Sequence, residues 1–150
     1  PGANYARPLN SALSASGVQL VEGRTVQLGQ WRLTGLDDRW GGNPASQVQQ
    51  LLNTPDAQRL VLTHQPDTAA LLPPNAAFLT MAGHTHGGQI RLPWLTNWVL
   101  QRGTTHPWYR DAYTLPQGGH LMVTAGVGII GLPARLGVAP RIDVLHIDAK

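Results

Sequence analysis

An α/β fold, with a mixed β-sheet and flanking helices, is the expectation for this 150-residue chain. Three observations predict it. Leu60-Val61-Leu62 and Phe78 to Ala82 are short apolar runs bounded by turn residues, the mark of strands buried on both faces. A short helical stretch, Thr68 to Leu72, lies between them, so the two strands are expected to be parallel neighbours joined by a crossover. Arg24 to Leu28 and Trp31 to Leu36 flank Gly29-Gln30, a two-residue turn that implies an antiparallel hairpin and makes the sheet mixed.

In chain order, Pro1 to Arg7 reads as irregular. Pro8 to Ser16 places Leu9 and Leu13 four apart, with Gly17 as the C-cap of a short amphipathic helix. Val18 to Val21 reads as a strand ahead of the hairpin. Asp37 to Gly42 is a loop, and Asn43 or Ser46 caps a helix to Leu52 whose buried side holds Val48, Leu51 and Leu52. Arg59 to Thr63 is the first buried strand. Asp67 is the expected N-cap of the crossover helix, which Pro73-Pro74 ends. Gln89 to Leu92 reads as a short strand. Pro93 to Gln117 is a long loop carrying Trp94, Trp98, Trp108, Tyr109 and Tyr113, either pinned by its own aromatics or presenting them to an apolar or membrane-bound partner. His120 to Ala125 is a strand, Gly126 to Gly131 a glycine turn, and Arg141 to Ile147 an alternating edge strand.

Candidate chemistry concentrates in Gly83-His84-Thr85-His86-Gly87-Gly88-Gln89. Two histidines one residue apart, with glycines alongside, follow the end of an apolar strand, where the backbone is free to turn both rings to one point. His64 closes the preceding strand. Imidazoles at two neighbouring strand ends are a pattern for a transition-metal site, with His64, His84 and His86 as ligands. His106, His120 and His146 stand alone and read as surface or strand residues. Gly126 to Gly131 lacks the strand-helix setting and the acidic partner of a dinucleotide loop.

Composition excludes several classes. Charged residues make up 13% of the chain, about half the usual share. The formal charge is +3, carried by arginines spread singly and one terminal lysine, so no basic stripe for nucleic acid exists. There is no cysteine, which removes disulfides, zinc-thiolate sites and thiol catalysis. No apolar run reaches the ~20 residues that span a bilayer.

Leu60-Val61-Leu62-Thr63-His64-Gln65-Pro66-Asp67, with Gly83-His84-Thr85-His86-Gly87-Gly88-Gln89-Ile90-Arg91-Leu92-Pro93 after it, resembles the calcineurin-like metallophosphoesterases, in particular a bacterial branch of small, often membrane-associated phosphodiesterases. Gly35-Leu36-Asp37-Asp38 and Gly126 to Pro133 with Arg135 are similar to that branch too. The resemblance implies two packed mixed sheets and two divalent ions (manganese, zinc, iron or magnesium) at the strand ends. His64 and His84 would bind one ion and His86 the other. Arg91 and Arg135 are candidates to meet a substrate phosphate, against a plain surface role. Asp37-Asp38 is expected at the rim, outside catalysis.

The family's earlier motifs, an Asp-x-His, a bridging aspartate and an Asn-His pair, do not occur here. The resemblance therefore implies the C-terminal half of a single domain of the four-layer sandwich, with the N-terminal half missing. Two metals activate water and clamp phosphate oxygens only when a carboxylate bridges them. The chain alone is thus expected to hold one ion weakly or none, and to be inactive without its first half. Further expectations are a phosphoester substrate, with a lipid-linked one as an option, an exposed sheet face that drives dimerisation or swapping, peripheral membrane contact through the tryptophan-rich loop, and a bacterial cytoplasmic or membrane-associated location. Two other readings remain: a non-catalytic scaffold that keeps the half-fold, and a mononuclear zinc hydrolase using the three histidines.

Overall fold

The structure is a computed structural model that describes residues 3–92, 95, 96, 98 and 105–148, with side chains from residue 8 onward. One six-stranded sheet organises it: β1 (Arg24–Leu28), β2 (Trp31–Gly35), β3 (Arg59–Leu62), β4 (Leu79–Ala82), β5 (Asp111–Thr114) and β6 (His120–Val123), in the order β1-β2-β3-β4-β6-β5. β2, β3, β4 and β6 run parallel, while β1 and β5 pair antiparallel at the two edges. The sheet is mixed, as the sequence predicts.

Helix α1 (Ala3–Ala15) starts well before Pro8, so residues 3–7, expected to be irregular, are helical. Pro8, the sixth residue of that helix, has no N–H to bond back to Asn4, yet the helix continues past it. Its end is the expected glycine: Gly17, at φ +81, lets its own N–H reach Ser14 O and the Val18 N–H reach Leu13 O. Helix α2 (Pro44–Leu51) is capped by Asn43, whose side chain accepts the Ser46 N–H, and packs Val48 and Leu52 on Leu36, Val61 and Leu72. A second cluster, Ala69, Ala82, Leu115, Leu121 and Val123, fills the β4–β6 side, with Trp108 and Tyr113 against it.

Four expectations change. Val18 to Val21 forms no strand; the segment meets the sheet only just after it, through an isolated bridge from Glu22 to Gly35. The crossover is a 3₁₀ segment, Pro66–Leu71, capped by Gln65 without a side-chain bond, so Asp67 lies inside it and does not cap it. Gln89 to Leu92 has only an isolated bridge, Ile90 to Leu136, while β5 emerges inside the stretch read as loop. Arg141 to Ile147 pairs with no strand among the described residues, and its alternating Ile142 and Val144 are 83% and 74% exposed. Alternation signals a face to bury, and nothing described covers this one.

Candidate metal centre

β3 and β4 are adjacent and parallel, so the loops that follow them leave the same edge of the sheet. The Gly83 N–H donates to His64 O at 3.1 Å and ties the two loops together. His84 Nδ1 then stands 3.1 Å from His64 Nε2, with the rings edge to face. Two nitrogens each about 2.1 Å from a shared ion, at octahedral to tetrahedral angles, lie about 3.0–3.4 Å apart. The pair fits two places in one ion's shell. Among the described residues no group of three histidine or acidic side chains is arranged to hold an ion, so the shell is incomplete.

His86 turns to a different neighbour. Its Nδ1 is 3.1 Å from the Gly128 carbonyl oxygen. A carbonyl only accepts, so Nδ1 carries the proton and Nε2 keeps the lone pair, the tautomer a metal-binding histidine needs. The glycine turn at 126–131 therefore lies against the histidine loop.

The loop holding both rings is strained. His84 (φ +68), His86 (φ +51) and Gln89 (φ +35) are left-handed without being glycine, and Gly87 and Gly88 continue the run. Such residues cost on the order of 1–3 kcal/mol each and persist where surrounding bonds over-determine them. Those bonds are present. Thr85 Oγ1 donates to Tyr109 O at 2.6 Å, and the buried Gln89 amide donates to the carbonyls of Ile130, Leu132 and Ala134 while its oxygen accepts the Ile130 N–H.

Two neighbours of the pair escape the sequence. Asp38 Oδ2 is 3.9 Å from His64 Nε2, and Trp40 packs edge-on against His84 at 4.9 Å. Asp38 is held there by the Gln65 amide at 2.9 Å, and Gln65 also accepts the Arg39 N–H. The Asp37-Asp38 loop thus meets the rim as expected, but one carboxylate sits nearer the imidazoles than a rim residue need. Only an acidic doublet in a loop signals this, and such doublets are common.

Electrostatics favour neutral nitrogen beside an anion. Burial, then the charge of His64, pulls the His84 pKa below its usual value; Asp38 opposes this, His86 adds to it, and Asp67 opposes it. Burial is the largest influence on Asp38 and would raise its pKa. The Gln65 and Trp40 hydrogen bonds and the field of the two histidines together outweigh it and leave the value lowered. The same loop lines a cavity of about 370 Å³ with Asp67, Thr105 and His106. Asp67 Oδ2 accepts from Thr105 N and Oγ1 there, which is its role in place of capping.

Neither arginine candidate joins the histidine pair. Arg135 spends its guanidinium on the carbonyls of Ala125, Gly126, Gly128 and His86, holding the glycine turn. Arg91 lines a separate cavity beside Gly87. His106 stacks on Trp108, and His120 lies against Phe78. Trp94 is outside the described residues.

Comparison with known proteins bears on the family of this chain. The chain is 35% identical to an uncharacterized metallophosphoesterase of Campylobacter jejuni, over 79% of this chain and 30% of that protein. It is 30% identical to the uncharacterized metallophosphoesterase YkuE of Bacillus subtilis, over 88% of this chain and 44% of YkuE. It is 33% identical to the phosphodiesterase YaeI of Escherichia coli, over 79% of this chain and 42% of YaeI. The chain belongs to the calcineurin-like metallophosphoesterase family.

This metallophosphoesterase chain spans less than half the length of the curated relatives it matches. No family model matches it, and no solved structure does. The family implies divalent metal ions, and the mixed sheet with flanking helices is the α/β arrangement expected. No helix among the described residues is long and apolar enough to cross a membrane.

Proposed function

We propose that this chain supplies the histidine side of a dinuclear phosphoesterase centre. The facing nitrogens of His64 and His84 carry the reading, since their 3.1 Å separation suits adjacent places on one ion. His86, with its proton held on Nδ1 by Gly128, offers Nε2 towards a second ion. Bound metal would supply an activated water and a clamp for phosphate oxygens. The protein's own part is to hold His64, His84 and His86 on braced loops, the last two at strained dihedrals, and to place the Asp38 carboxylate beside His64. Trp40 packs edge-on against the His84 ring.

The bridging carboxylate and the remaining ligands belong, in this reading, to the other half of the same domain. The 150-residue chain alone binds metal weakly and does not turn over substrate. The incomplete set of ligands supports that view, and so do the apolar side chains of Ile142 and Val144 left uncovered. Calorimetry with manganese, followed by assay of a chromogenic phosphodiester after adding the missing half, tests it. Hydrolysis that appears on mixing and disappears with His84→Ala is the expected result; hydrolysis that survives His84→Ala overturns it. The same observation of an incomplete set also suits a scaffold that retains the half-fold without chemistry. Absence of metal binding even with the other half present would establish that reading instead.

A further inference from the structure

Among the arginines whose side chains are described, Arg91 alone makes neither an ion pair nor a side-chain hydrogen bond. Arg24, Arg32, Arg39, Arg59 and Arg135 are each held by a carbonyl or a carboxylate. A guanidinium left in this way keeps its charge and all of its N–H donors for something else.

Arg91 lines a cavity of about 290 Å³ together with Arg110, Asp111 and Arg141, with Gly87 in its wall. The carboxylates at this place are already engaged. Asp111 Oδ1 accepts from Arg141 Nη1 at 2.8 Å, and Arg110 Nε lies 3.7 Å from its other oxygen. Asp143 has one oxygen 2.8 Å from Arg141 Nε and accepts from Thr124 Oγ1 at 2.6 Å with the other. Three guanidiniums against two carboxylates leave a positive excess. Asp111, which clasps Arg141, also holds a left-handed backbone at φ +63. Strain of that kind collects at ligand clamps. A charged cavity differs from an apolar face in what can cover it. Burying an unpaired guanidinium is costly, so whatever packs over this place must bring or admit an anion.

We propose that the cavity of Arg91, Arg110 and Arg141 binds a phosphate-class oxyanion, apart from the histidine centre. Guanidinium meets phosphate oxygens through paired hydrogen bonds, a fit that neither chloride nor a neutral group offers. Two sources share this chemistry: free phosphate, and a further phosphoryl group on the substrate. The second source rests on the phosphoesterase reading; the binding itself does not.

Calorimetry of the chain with inorganic phosphate, in a metal chelator and against sodium chloride at equal ionic strength, is the test. Saturable phosphate binding is expected. Arg91→Ala should weaken it at least about tenfold and Arg91→Lys by less, because lysine keeps the charge and loses the fork. Arg24→Ala, at an exposed arginine on β1, should leave it unchanged. His84→Ala should leave it unchanged as well, so failure of the metal centre and failure of this site are told apart. Arg91 is exposed, and its variants should melt as the parent chain does. Absence of binding, equal binding by Arg91→Ala, or equal weakening by Arg24→Ala overturns the proposal. So does binding that disappears when the missing half is added, which would assign the arginines to the contact between halves. In the completed enzyme, a diester with a further phosphoryl group separates the sources. A KM raised by Arg91→Ala makes the anion part of the substrate, and an unchanged KM makes it free phosphate.

Discussion

Arg59 opens β3 and His64 follows its end, and the two termini of that one strand treat polar side chains in opposite ways. At the start, the side chains of Arg59 and Asp56 are 8% and 4% exposed and their atoms lie 3.3 Å apart. Arg32 adds a 2.6 Å bond to the same carboxylate, and Arg59 also donates to the carbonyls of Ala76 and Thr54. Both guanidiniums share that one carboxylate, and only Arg59 Nε of the buried group is left without a partner. At the far end, His64 and His84 face each other at 3.1 Å beside a part-exposed aspartate, with His84 on backbone in a costly conformation. The first cluster spends most of its polar capacity within the fold, whereas the histidine end keeps ring nitrogens that a ligand could use. Strained dihedrals on the open side and none at Arg59 or Asp56 point the same way.

Breaking the closed end should produce the largest effect. Asp56→Asn leaves Arg59 buried without its counter-charge and should cost about 3–5 kcal/mol in urea unfolding. Metal affinity of the folded fraction should stay unchanged. Acid sharpens the point: burial raises the Asp56 carboxyl, but the bond from Arg32, the Gln58 N–H and the field of both arginines hold it below the ordinary value. A depressed folded pKa stabilises the fold above the unfolded value of about 3.9, and that stability is lost as pH falls through the lower folded value. The melting temperature should therefore fall below about pH 4, and in Asp56→Asn this step should be absent.

Intermediate effects belong to the braces of the open end. Gln89→Leu removes the bonds to Ile130, Leu132 and Ala134 and leaves those carbonyls without their donor. A loss of about 1–3 kcal/mol is expected, appearing as faster amide exchange through 128–136 while β3 and β4 stay protected. The smallest effect on stability falls on the ligand itself. His84→Gly relieves a left-handed residue worth about 1 kcal/mol, so the melting temperature should hold or rise slightly while manganese binding in the completed centre is lost. Marked destabilisation by His84→Gly would place His84 with the structural residues, and the contrast between the two ends would fail.

Much of this was legible before folding. The buried strands β3 and β4 stand out as apolar runs, Asn43 and Gly17 as caps, and His64, His84 and His86 as ring nitrogens placed just past strand ends. Local chemistry suffices for these because each depends on neighbours in sequence. β5 was not legible, since Asp111 to Thr114 carries no strong pattern and becomes a strand by pairing with β6. The reverse holds for Arg141 to Ile147, where alternation is clear but no pairing partner is described.

By itself, then, the amino-acid order determined the fold class, the family and the placing of three histidines just past two strand ends, all of which rest on short-range pattern. Tertiary structure alone decided that Asp38 and Trp40 join the histidines, that Arg135 serves the backbone and that Asp67 lines a cavity. Each of those outcomes depends on which loops share a sheet edge, a distance across space that no spacing along the chain encodes.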